Sequence, residues 1–226
     1  MSSTAHLAGV PGVPETLLSQ ALLATLPDNL APAPWSCTCD AVLWFGRGGA
    51  AATAALAPAL RRRGLGVVAG MVRYHETPVG RYDEVFGVVG SHTGPRPRGS
   101  VVFMAVDSPA SLVGGRTNWG LPKTLAAFEG GVAGGATFTA RGVDDVRWRV
   151  AASPRVLGPA SPVVAGGQTR QVFPDGRVGG SRLSARGRAH PAVVTVEVDS
   201  DGPLASWLRP GRHLGAVVRD TRFTLH

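Results

Sequence analysis

The sequence predicts a mainly β protein, and three observations carry that expectation. Short apolar runs recur along the second two thirds of the chain, each bounded by Gly, Pro, Ser or Asp. Several of them alternate polar and apolar residues with a period of two, as in Asp145-Val146-Arg147-Trp148-Arg149-Val150. The 226 residues include 31 Gly and 18 Pro, enough turn-formers to separate many short strands. Such a pattern points to an antiparallel sandwich or barrel. With hydrophobic residues at 44%, the chain can build a core, which excludes a disordered protein.

In chain order, Pro14-Glu15 opens a segment whose Leu17, Leu18, Ala21, Leu22 and Leu26 fall near helical spacing. Pro at the first helical position and Glu in the first turn suit a helix start. Residues 27–34 read as a linker and 41–46 as a buried strand. The Ala-rich stretch 50–63 predicts a short helix ending at Gly64, with Arg61, Arg62 and Arg63 offsetting the dipole at its C-terminus. Strands are expected over 67–74, 82–89, 101–106, 136–141, 145–151, 193–198, 213–218 and 222–225. The Gly-, Ser- and Arg-rich residues 160–190 read as a long loop or a lid. No Gly-rich loop follows a strand and opens a helix, so nucleotide-binding folds are unsupported.

The formal charge of +8 invites a nucleic-acid reading, but the distribution argues against one. Apart from Arg61-Arg62-Arg63 the arginines are scattered, with little aromatic interleaving. No apolar run approaches the ~20 residues of a membrane span. Cys37 and Cys39 are too close to form a disulfide readily and too few for a zinc site, which predicts free thiols in a reducing compartment. Residues 1–14 lack the basic and apolar regions of a signal peptide, so a cytoplasmic protein is expected. The six histidines show no metal-ligand spacing, and no metal site is predicted.

The basic count holds a sharper signal: its 23 residues are 22 arginines and one lysine, Lys123. That lysine sits in Gly114-Gly115-Arg116-Thr117-Asn118-Trp119-Gly120-Leu121-Pro122-Lys123, where the glycines and proline predict an irregular backbone. An amine among apolar groups loses the solvation of its charged form, which frees its lone pair. Such an amine can attack a carbonyl and form a Schiff base, whereas an arginine stays protonated. The alternative is chance, since a single surviving lysine must fall somewhere. Upstream, Pro78-Val79-Gly80 predicts a turn into a strand in which Tyr82, Glu84, Phe86 and Val88 share one face. If that face points inward, Glu84 enters an apolar barrel, a placement typical of acid–base groups. If it lies at a wet strand end, Glu84 has no role. Spacing alone does not choose.

Together, Val79-Gly80-Arg81-Tyr82-Asp83-Glu84, then Asp107-Ser108-Pro109-Ala110, then Gly115-Arg116 with Asn118-Trp119-Gly120-Leu121-Pro122-Lys123, resemble acetoacetate decarboxylase and its relatives. The resemblance is good over about 66–130 and looser to the C-terminal strands, including Gly211-Arg212-His213. It implies a closed, cone-like antiparallel β-barrel with a few peripheral helices over 31–226, preceded by a helical extension over 1–30, and assembly into homo-oligomers. It also implies a lyase in which Lys123 forms a Schiff base with a small keto acid and Glu84 shuttles protons. Tyr82, Met104, Trp119 and Leu121 would line the pocket, and Arg116 would anchor an anion or brace a loop. No metal or organic cofactor is implied, since the iminium is the electron sink. Three positions depart from the decarboxylase pattern: Thr124 replaces a second lysine, Ala69 falls near a missing glutamate, and Ser36–Cys39 lack an arginine. Those departures leave decarboxylation, aldol or dehydration chemistry open. They also leave a second reading, a catalytically degenerate barrel that binds a small apolar or carbonyl ligand.

Overall fold

A computed structural model describes residues 4–93, 96–132 and 135–226. Among these, ten strands form one sheet: β1 (Trp35–Arg47), β2 (Gly64–Glu76), β3 (Tyr82–Thr93), β4 (Arg96–Val106), β5 (Lys123–Gly130), β6 (Phe138–Gly142), β7 (Trp148–Val156), β8 (Ser161–Val172), β9 (Val178–Ser200) and β10 (Gly211–Leu225). The order β10-β1-β2-β3-β4-β5-β6-β7-β9 closes on itself because β9 also pairs with β10. The result is a mainly β, closed ring of nine strands, with β8 carried outside it as a hairpin partner of β9. Ring neighbours are antiparallel with one exception: β4 and β5 run parallel through Met104↔Lys123, Ala105↔Thr124 and Val106↔Leu125. The wholly antiparallel expectation is corrected at this pair. A helix crosses over between these two strands, and parallel neighbours require such a crossover.

That helix is α3 (Pro109–Trp119), which follows α1 (Gln20–Thr25) and α2 (Ala50–Ala55) and precedes α4 (Leu204–Leu208). The irregular backbone expected around Lys123 is therefore a helix as far as Trp119. Ser108 caps it by accepting a hydrogen bond from Ser111 N, and Pro109 occupies the first turn. Gly120 ends it at φ +62, and Leu121 N donates back to Gly115 O at 3.1 Å. Glycines 114 and 115 suggested a loop because helix propensity disfavours them, but tertiary packing overrides that cost.

Other expectations shift for local reasons. The helix expected from Pro14 splits into a 3-10 turn, Pro14–Thr16, and α1, because Ser19 caps the latter by accepting from Leu22 N. The Ala-rich helix stops at Ala55, since Pro58 holds Ala57 extended. Arg61–Arg63 consequently lie exposed beyond a 3-10 turn and do not cap an α-helix. Residues 160–190 are neither loop nor lid: β8 and β9 pair in unbroken register from Ser161↔Ala189 to Val172↔Val178.

One apolar cluster draws on every ring strand, including Val42, Met71, Val85, Phe103, Phe138, Val150, Val194 and Val217, and so fills the ring's interior. Trp207, Leu204 and Leu208 of α4, with Ala52 of α2 and Leu56 just beyond it, belong to the same cluster. A second cluster lies on the other face of β1–β4. There Cys37, Cys39, Val72, Tyr74, Tyr82, Met104 and Val106 meet Leu112, Val113 and Trp119 of α3, and Leu7, Leu23 and Leu26 of the N-terminal segment. Strands β1–β4 are thus buried on both faces, which explains continuous apolar runs such as Val101–Val106. Among the described residues, no helix is long and apolar enough to cross a membrane.

Candidate active site

Strand periodicity places Tyr82 and Glu84 on one face of β3, and Val85 and Val89 on the other. Val85 and Val89 point into the ring, while Tyr82 lies in the second cluster and Glu84 alternates with it. The condition that Glu84 enters the barrel is therefore not met. It is nonetheless buried, at 3% exposure, because α3 covers the outer face of the ring.

Lys123 opens β5 beside Met104 of β4, and Glu84 of β3 pairs with Val106 of β4. The lysine side chain spans β4 diagonally, and Nζ donates to Glu84 Oε2 at 2.8 Å. A second hydrogen bond runs from Nζ to Ser111 Oγ at 2.9 Å. Tyr74 OH donates to Glu84 Oε1 at 3.1 Å, and the Tyr82 ring centroid lies 5.2 Å from Nζ. Tyr74 and Tyr82 are cross-strand partners whose rings stack at 4.3 Å. The stem of Lys123 crosses α3 at Gly115: a Cβ there would lie 2.6 Å from Lys123 Cδ. Gly115 therefore supplies the passage and Ser111, one turn earlier, the terminus.

Burial, followed by the Glu84 carboxylate, raises the hydroxyls of Tyr74 and Tyr82 well above their usual 10, so both remain protonated donors. Burial likewise pushes the free thiols of Cys37 and Cys39 up to about 12. Glu84 adds to that rise at both, and Lys123 opposes it at Cys37.

Arg116 differs from its expected role as an anion anchor. Its guanidinium donates to three backbone carbonyls: Lys123 O from Nε at 2.6 Å, Leu7 O from Nη1 at 2.8 Å and Thr16 O from Nη2 at 2.5 Å. Burial lowers its pKa to about 9. The arginine braces the lysine's own peptide against the N-terminal segment, which is the other role that the sequence allowed. Trp119 and Leu121 join Tyr82 and Met104 in the apolar cluster, with Trp119 packed edge-on to Trp35 at 5.1 Å.

Ser111 and Tyr74 escaped the sequence reading. Tyr74 could have been found by pairing β2 with β3 across the Pro78–Gly80 turn. Ser111 becomes visible only once 109–119 is drawn as a helix. Of the three departures, Thr124 alternates with Lys123 and shares a register pair with interior-facing Ala105. Ala69 also faces the interior, whereas Tyr74, Val72 and Gly70 carry the outer face of β2. Cys37 and Cys39 do face the site's cluster. Among the described residues, no group of three or more His, Cys, Asp or Glu side chains could hold a metal ion.

A closed β ring that carries a buried amine–carboxylate pair beneath a crossover helix defines the class of protein. The family model described as acetoacetate decarboxylase (ADC) matches residues 49–160, a span holding Glu84, Ser111, Gly115, Arg116 and Lys123. Over residues 49–160 the chain is thus similar to the acetoacetate decarboxylase family. Solved structures share the fold. Acetoacetate decarboxylase from Legionella pneumophila subsp. pneumophila str. Philadelphia 1 matches with TM-score 0.52 and 16% identity, over 89% of each chain. The enduracididine biosynthesis enzyme MppR, complexed with pyruvate, matches with TM-score 0.56 and 15% identity, over 87% of this chain and 89% of that one. An acetoacetate decarboxylase-like enzyme from Sphingomonas wittichii RW1 matches with TM-score 0.55 and 15% identity, over 87% and 91%. No curated protein matches the chain.

Proposed function

We propose that the protein is a Schiff-base-forming carbon–carbon lyase acting on a small keto acid, with Lys123 as nucleophile and Glu84 as proton shuttle. One observation carries this reading: Lys123 Nζ lies 2.8 Å from Glu84 Oε2 with both side chains only 4% exposed. A surface pair of this kind would be inert, but a buried one gives the amine an adjacent base and excludes water.

Glu84 takes a proton from Nζ, and the freed lone pair attacks the substrate carbonyl to give a carbinolamine. Glu84 passes that proton to the carbinolamine oxygen, which with the second nitrogen proton leaves as water; the resulting iminium draws electrons from the neighbouring carbon. A 3-keto acid then releases CO₂, whereas a 2-keto acid gives up a proton; either leaves an enamine. In the 2-keto branch Glu84 takes that carbon proton and can return it to the enamine carbon; in the 3-keto branch Glu84 is first reprotonated by solvent. In either branch the enamine carbon can instead attack an aldehyde. The resemblance of the fold to MppR complexed with pyruvate, and to acetoacetate decarboxylase, supports both branches as candidates.

The test is borohydride trapping with pyruvate, acetoacetate and a panel of other keto acids and ketones, read by peptide mass spectrometry. An adduct at Lys123 that is lost in Lys123→Arg supports the reading, and the productive substrate selects the branch. If no carbonyl compound adds mass at Lys123, the lyase reading fails.

A further inference from the structure

We propose that Ser111 is a second proton-transfer group of this site, relaying one of the two protons that leave the lysine nitrogen during condensation. The proposal rests on the Schiff-base reading above. An ammonium Nζ enters with three hydrogens and the protonated imine keeps one. Two protons therefore pass from nitrogen to the carbonyl oxygen, which departs as water. The electron pairs of the two broken N–H bonds become the C–N σ and π bonds, and the σ and π pairs of the broken C=O bond leave on the oxygen as water.

Glu84 Oε2 at 2.8 Å provides an acceptor for one of these protons. Ser111 Oγ at 2.9 Å is a second polar partner of Nζ. A hydroxyl both accepts and donates. Ser111 can take the second N–H proton as it passes its own hydrogen to the carbinolamine oxygen, so serine carries no charge before or after.

The surroundings fit this task. Ser111 is 0% exposed, so bulk water does not compete for the transfer. Its backbone is held in the first turn of α3 by Ser108 Oγ, which accepts from Ser111 N at 3.2 Å. The Tyr82 hydroxyl also interacts with Ser111, and burial keeps that phenol protonated. Ser111 and Gly115 share one face of α3, so the helix that leaves room for the lysine stem also ends it at a hydroxyl.

The experiment measures, by rapid quench into borohydride at saturating pyruvate, how fast the Lys123 adduct forms in the full-length protein. Ser111→Ala, Ser111→Thr and Ser111→Val are compared with the wild type; Thr and Val are nearly the same shape, so they separate the hydroxyl from packing. General acid–base groups contribute about 10²-fold or more. The Ala and Val proteins are expected to trap at least about ten-fold more slowly, and Thr to stay within about three-fold of wild type. Equal rates for Thr and Val, or a wild-type rate in Ala, would overturn the role of Ser111 while leaving Lys123 chemistry intact. A wild type that forms no adduct with pyruvate or any other keto acid would remove both readings together.

Discussion

Lys123 and Glu84, 39 positions apart and on strands separated by β4, meet through a 2.8 Å ion pair that water barely reaches. Two charges withdrawn from water are stable only while each satisfies the other. Removing either partner leaves the other a buried charge with no counter-charge, held only by Ser111 or Tyr74. Glu84→Leu and Lys123→Met should each destabilise the protein by about 3–5 kcal/mol. The double variant should recover at least about 1 kcal/mol relative to the sum of the singles. Denaturant unfolding of the four proteins checks this; additive losses would mean that the pair is not coupled.

Gly115 is expected to be intolerant of even one methyl group, because a Cβ there would sit 2.6 Å from Lys123 Cδ and 2.7 Å from Cε. Helix propensity alone favours Gly115→Ala by about 1 kcal/mol. The variant should therefore remain folded while the lysine stem is displaced from Glu84 and Ser111. A drop of at least about ten-fold in borohydride trapping, in a protein that still unfolds cooperatively but at a lower melting temperature because the buried pair is loosened, is the expected signature.

Arg116→Lys tests the brace between the N-terminal segment and the lysine strand. The forked guanidinium reaches Lys123 O, Leu7 O and Thr16 O together, and a point-like ammonium cannot. A loss of about 3 kcal/mol is expected, with hydrogen exchange accelerating first in residues 4–26. Exchange that accelerates uniformly would instead assign Arg116 to the core as a whole.

Alkaline pH should unfold the protein partly through its thiols. Cys37 and Cys39 rise from 9.0 to about 12 in the folded state, so the unfolded chain releases their protons first. Their contribution is complete below pH 9 and is lost as pH climbs from 9 towards 12. Tyr74 and Tyr82, raised well above 10, act in the same direction higher up. Between pH 8 and pH 10 the Cys37→Ala/Cys39→Ala protein should lose less stability than the wild type. Native Cys37 and Cys39 should also resist alkylation until denaturant is added.

The chain by itself determined the β-rich fold, because strand periodicity and turn chemistry are local properties written along it. It also singled out the two members of the buried pair: Lys123 stood out against an all-arginine background, and Glu84 did so through the resemblance of its motif, since spacing alone left its face open. Helix boundaries were less legible. Caps at Ser19 and Ser108 and the break at Pro58 depend on single hydrogen bonds or clashes that periodicity does not weigh. Residues 160–190 read as loop because Gly166, Gly167, Gly179 and Gly180 lower strand propensity, yet ladder pairing between β8 and β9 outweighs it. Which face of the sheet holds the site was decided only by tertiary structure. A period of two separates the faces of a strand but does not say which one is interior. That choice was made when α3 and the N-terminal segment packed over β1–β4. The same packing turned Arg116 towards backbone carbonyls and brought Ser111 to Lys123, while Tyr74 reaches Glu84 through the β2–β3 pairing.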